Sequence, residues 1–133
     1  MKPQEPLLPI QSLWDAAGTL KRLGGDANLL HEVVEIFVDQ APRQLQVLRL
    51  ALEQGDAEAV ERTAHSLKGE LGYLGVSGVS QKARELEEMG GKRDLEKAAG
   101  TFMVFDQEIS ALLESMLGAR AEISRAVSTG EKL

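Results

Sequence analysis

Apolar residues spaced three and four apart, sustained over several long segments, constrain this chain more than any other feature. Leu95, Ala98, Phe102, Phe105, Ile109, Leu112 and Met116 alternate steps of three and four. Leu30, Val34, Phe37, Ala41, Leu45, Leu48 and Leu52 hold the same spacing, as do Val60, Ala64, Leu67, Leu71 and Leu74. A shorter run, Val79, Ala83 and Leu86, precedes Gly90-Gly91. Such steps place every apolar residue on one stripe of a helix that must face a core. No segment alternates apolar and polar residues in the manner of a strand. Four long helical segments with short connections predict an all-α chain, an antiparallel four-helix bundle. Leu13, Trp14, Ala17 and Leu20 add a short N-terminal helix.

Turn residues punctuate these runs. Ser12 or Asp15 can cap the first helix, and Leu23-Gly24-Gly25 stops it before Asp26 caps the next. Pro42 removes a backbone donor inside the second run, which predicts one helix kinked near Asp39 to Ala41. Gly55-Asp56 turns into the third helix, with Asp56 as its cap. Gly75 stops that helix, and Val76-Ser77-Gly78 reads as a tight connection. Gly118 reads as the end of the last helix. The chain thus divides into an extended, proline-containing lead-in (1–11), the bundle (12–118), and a tail or short helix (119–133). Trp14 closes one end of the core or offers a partner an aromatic surface.

Composition narrows the function classes. The 133 residues form one domain, and the absence of cysteine removes disulfides and thiolate metal sites. No apolar run of about 18 residues exists to span a membrane, and the N-terminus lacks the basic-then-apolar pattern of a signal peptide. Twenty-one acidic against 15 basic side chains, a net charge of −6, argue against nucleic acid as a partner. These features fit a monomeric cytoplasmic protein. His31 and His65 lie in distant segments without metal-ligand spacing, so no metal site is assigned, and His31 reads as an ordinary polar residue.

His65 stands out. At about 100° per residue, Glu58, Arg62, His65 and Gly69 lie opposite the apolar stripe, so the imidazole faces water. Lys68 lies beside it, and Gly69 and Gly72 remove side chains nearby. Two interior helical glycines cost about 2 kcal/mol relative to alanine. Either the helix frays here, or the face is kept bare for another molecule. A neutral imidazole is a good nitrogen nucleophile at cellular pH, and an adjacent ammonium favours phosphoryl-group chemistry.

His65-Ser66-Leu67-Lys68-Gly69, followed by Gly75, resembles the signature of histidine-containing phosphotransfer (HPt) domains and of the similar phosphoacceptor domain of chemotaxis-type histidine kinases. Leu23-Gly24-Gly25-Asp26, Phe37, Gly55-Asp56 and Leu86-Glu87 extend the match from about Leu13 to Leu117. The resemblance implies a phosphorelay carrier in two-component signalling. His65 would be the phosphoacceptor, Lys68 its charge partner, and Gly69 and Gly72 the clearance for a docking receiver domain. Glu58 and Arg62 would belong to the docking surface. The phosphoryl group would come from a receiver phospho-aspartate or a histidine kinase domain and pass to a receiver aspartate. The chain would have no intrinsic cofactor and no nucleotide site, hence no catalysis of its own, with magnesium on the partner receiver. The family usually carries small residues after the glycine, whereas Glu70 and Leu71 stand here, and Glu70 is expected to add negative charge near the acceptor. The alternative is a helical scaffold or partner-binding module that is never phosphorylated.

Overall fold

The computed structural model describes residues 14–129. Five helices occur in order: α1 (Ala16–Arg22), α2 (Ala27–Gln54), α3 (Ala57–Tyr73), α4 (Ser77–Gly91) and α5 (Leu95–Thr129). The described residues contain no strand. In α2 through α5 each helix packs on its neighbours, and α5 returns to α2, which closes the four-helix ring. Short connections make successive helices antiparallel, and α1 leans on α2.

Aspartate caps account for where the helices begin. Asp15 accepts from the Gly18 amide at 3.0 Å, Asp26 from Leu29 at 3.1 Å and Asp56 from Ala59 at 3.1 Å. Each satisfies a backbone donor that the first helical turn leaves open. Ser12, the other candidate cap, and Leu13 lie outside the described residues, as does the 1–11 lead-in. Gly55 ends α2 in the left-handed region (φ 73°), returning its N–H to the Ala51 and Leu52 carbonyls. That conformation suits a residue without a Cβ.

The apolar stripes meet as their spacing requires. Leu30, Leu48, Val60, Leu67, Leu71, Leu86, Phe105, Ile109 and Leu112 are fully buried in one continuous core. Each large apolar side chain so placed contributes about 1.5–3 kcal/mol. That packing carries α2 through Pro42 as a single helix, with Phe37, Ala41 and Leu45 buried on both sides of it.

Three boundaries differ from the sequence reading. Trp14 precedes the Asp15 cap and so lies outside α1. Ser77 and Gly78 form the first turn of α4 rather than a connection, with Val76 at the cap position and no side-chain cap bond. Gly118 does not end α5. The helix continues to Thr129 because Ile123 and Ala126 are buried beyond it. Arg120 also clasps Glu35 of α2 through two bonds of 2.8 and 3.0 Å. Tertiary contact outweighs the roughly 1 kcal/mol cost of an interior glycine.

A buried hydroxyl fixes α1 to the end of the bundle. Thr19, fully buried, donates to the Leu74 carbonyl at 2.9 Å and accepts from Trp14 Nε1 at 3.1 Å and Arg22 Nη2 at 3.0 Å. Trp14 is itself buried and belongs to the core, closing one end of it. Thr19→Val keeps the shape but leaves the indole N–H and the Leu74 carbonyl without this partner. Urea denaturation should show a loss of about 1–3 kcal/mol, followed through Trp14, the chain's one tryptophan. An unchanged midpoint would mean that the hydroxyl contributes nothing net.

Candidate functional site

The middle of α3 presents the imidazole. Val60, Ala64, Leu67 and Leu71 are buried against the core, which turns the opposite side of the helix outward. The His65 side chain is 66% exposed there. Glu58, Arg62 and Gly69 share that exposed face, and Glu58, Glu61, Arg62, His65 and Glu87 line a shallow concavity. His31 is half-buried on α2, in a separate part of the fold.

Packing does not account for the glycines. Among the described residues, a Cβ on Gly69 would meet nothing within 4 Å, and one on Gly72 would meet only Ser80 Oγ at 3.8 Å. Gly69 lies one turn before the end of α3, and Gly72 stands next to its last residue, Tyr73. Alanine would fit at either position and favour the helix by about 1 kcal/mol. Bare backbone beside the imidazole is what the glycines add.

Glu87 of α4 organises the site. One carboxylate oxygen, Oε2, lies 2.8 Å from His65 Nδ1, and the other, Oε1, lies 2.8 Å from Lys68 Nζ. The Lys68 ammonium, with a smaller contribution from His65, lowers the Glu87 pKa from its ordinary value of 4.5 against the opposing effect of burial. Glu87 is therefore ionised at neutral pH and can only accept. A contact of 2.8 Å between two acceptors needs a proton, and Nδ1 must carry it. In the neutral ring that sets the tautomer and leaves the Nε2 lone pair as the nucleophilic position. Since the folded pKa lies below the unfolded one, the arrangement adds stability above pH 4.5 that is lost as pH falls through the lowered value.

The sequence reading names Glu87 only within the Leu86-Glu87 match and gives it no part in the site. The signal was its position next to the buried stripe residue Leu86, on the flank that α4 turns toward α3. Gly90, one turn further on, lets the helices approach closely. A Cβ there would stand 2.7 Å from the Glu61 amide nitrogen and 3.1 Å from the Ala57 carbonyl oxygen.

Glu70 corrects another expectation. Five residues after His65, it lies about 140° around the helix and does not add its charge beside the imidazole. It faces α2, where its Oε2 accepts from Gln44 Nε2 at 3.4 Å. Burial raises its pKa, and the Gln44 bond partly offsets the rise.

A model of the Hpt domain family matches residues 32–122, which include all of α3 and α4. The chain belongs to the Hpt domain family. Membership gives it a phosphotransfer role in two-component signalling, among receiver domains and histidine kinases. The crystal structure of the HPT domain from a sensor hybrid histidine kinase of Shewanella shares the fold. It aligns with a TM-score of 0.62 at 20% identity, over 90% of this chain and 97% of that one. No curated protein gives a significant match. Among the described residues of this Hpt domain, no helix is long and apolar enough to cross a membrane.

Proposed function

We propose that His65 is the phosphoacceptor of this Hpt domain and that Nε2 is the atom that reacts. The observation that carries the reading is the bond between Nδ1 and Glu87 on a ring that is 66% exposed, which leaves the other nitrogen free to react. Nε2 attacks the phosphorus of a receiver's phospho-aspartate, or of a kinase-bound phosphoryl donor. An N–P bond forms as the donor's O–P bond breaks, and the leaving group, the aspartate carboxylate or the kinase donor's nucleoside diphosphate, departs with the bonding pair. The ring gains positive charge during attack, and the Glu87 carboxylate stabilises it through the Nδ1–H bond. In the reverse step a receiver aspartate attacks the same phosphorus, and imidazole leaves with its lone pair restored.

Lys68 holds the second oxygen of Glu87 and places an ammonium beside the incoming phosphoryl group. Gly69 and Gly72 let the partner's active site close over the ring, while Glu58 and Arg62 meet its periphery. Magnesium belongs to the receiver, where it offsets phosphate charge. The chain is a carrier that lends a nucleophile rather than an enzyme with a nucleotide site. A monomer suffices, because the four helices cover one another's stripes.

Incubation with a phosphorylated receiver tests the reading. The chain should take up a base-stable, acid-labile phosphoryl group, with peptide mapping placing it on the α3 segment. Failure of several receivers to label it would favour the unphosphorylated scaffold.

Glu87→Gln keeps the shape but removes the charge. A hydrogen bond to a charged group exceeds a neutral one by about 1–1.5 kcal/mol, so transfer at saturating receiver should slow about tenfold. KM should change little, since the ring and the docking face stay in place. A change confined to KM would make Glu87 a docking residue instead.

A further inference from the structure

Glu70 is the departure from the family pattern that the phosphoacceptor site leaves unexplained. It lines an apolar groove between α2 and α3 with Val33, Ile36, Phe37, Tyr73 and Leu74. Ile36 and Tyr73 on this groove are 54% and 53% exposed, although both are large and apolar or aromatic. Within the wall, Glu70 Oε1 and Gln44 Oε1 are buried acceptors without a hydrogen-bond partner among the described residues. Among the described residues the carboxylate's one donor is the Gln44 amide at a long 3.4 Å. A desolvated carboxylate among apolar side chains is costly unless a donor, best a cation, meets it.

One end of the groove lies on the flank of the face that carries the imidazole. Tyr73 lies eight residues along α3 from His65, about 12 Å at 1.5 Å per residue, with the bare backbone of Gly69 and Gly72 between them. A stable interface covers roughly 800 Å² on each partner, a patch about 30 Å across. Tyr73 stands about 80° around α3 from the ring, so a protein seated over His65 and extending toward α2 reaches that end of the groove.

Building on the phosphoacceptor reading, we infer that the α2–α3 groove receives a lysine or arginine side chain of the docking receiver. Its aliphatic stem lies along Ile36, Phe37 and Tyr73, and its charged head meets the Glu70 carboxylate. Glu70 is thus a specificity determinant that selects receivers carrying a cation at that place. A family member with a small residue after the glycine lacks this acceptor.

The test uses the full chain, a panel of purified receiver domains from the same genome, and potassium phosphoramidate as a small donor that needs no docking. The receiver that labels His65 fastest is taken forward. Glu70→Lys should slow labelling by subsaturating receiver about tenfold or more, as opposed charges become like charges, and Glu70→Gln should slow it less. Phosphoramidate labelling and the Trp14-monitored unfolding midpoint should stay near wild type. One Lys→Glu or Arg→Glu change on the receiver should restore transfer to Glu70→Lys. Transfer within twofold of wild type for Glu70→Lys would overturn the inference, as would equal losses with both donors or the lack of any rescuing reversal. A wild-type chain that no receiver labels would sink the phosphoacceptor reading itself, whereas intact wild-type labelling with an indifferent Glu70→Lys would sink only the groove.

Discussion

His65→Gln takes up no phosphoryl group from a phosphorylated receiver, while His31→Gln is labelled as fully as the wild type. Glutamine has no ring nitrogen lone pair to offer, so the loss should be complete within detection. The substitution removes an exposed side chain and one surface bond to Glu87, so the unfolding free energy should move by no more than about 0.5–1 kcal/mol. Loss of labelling with the fold intact distinguishes a missing nucleophile from a damaged bundle. Label that persists in His65→Gln would place the acceptor elsewhere, with the half-buried His31 the first position to check.

Gly90→Val should damage the bundle and the site together. The added Cβ would lie 2.7 Å from Glu61 N, 3.0 Å from Glu61 Cα and 3.1 Å from the Ala57 carbonyl oxygen, all of them backbone atoms of α3. No side chain can rotate to make room, so α4 must retreat. Overpacking of this kind costs about 1–3 kcal/mol, and the branched side chain adds to the intrusion. Glu87 lies one turn before Gly90 on the same helix, so the retreat pulls its carboxylate away from His65 and Lys68. The urea midpoint should fall, and transfer to the remaining folded protein should slow. Gly118→Ala is the control, since a Cβ there meets nothing within 4 Å, and α5 should gain up to about 1 kcal/mol. Equal stability in Gly90→Val and wild type would show that the α3–α4 approach tolerates a side chain.

The sequence carried what depends on one helix at a time. The stripe from Val60 to Leu74 fixed which way His65 faces, and Asp26 and Asp56 marked two helix starts through their side-chain caps. It did not carry what depends on two helices. Glu87 became part of the site only through the crossing of α4 on α3, which Gly90 permits. Gly118 misled for a related reason, because buried Ile123 and the Arg120–Glu35 clasp hold α5 helical beyond it. Glu70 was misplaced although the helical angle was available, since nearness in sequence stood in for direction around the axis.

The protonation state of His65 tests the central claim most directly. Long-range proton–nitrogen NMR on the neutral imidazole should show hydrogen on Nδ1 in the wild type. The preference should weaken in Glu87→Ala, and after labelling the phosphorus should couple to Nε2. A wild-type ring carrying its proton on Nε2, or phosphorus bonded to Nδ1, would contradict it.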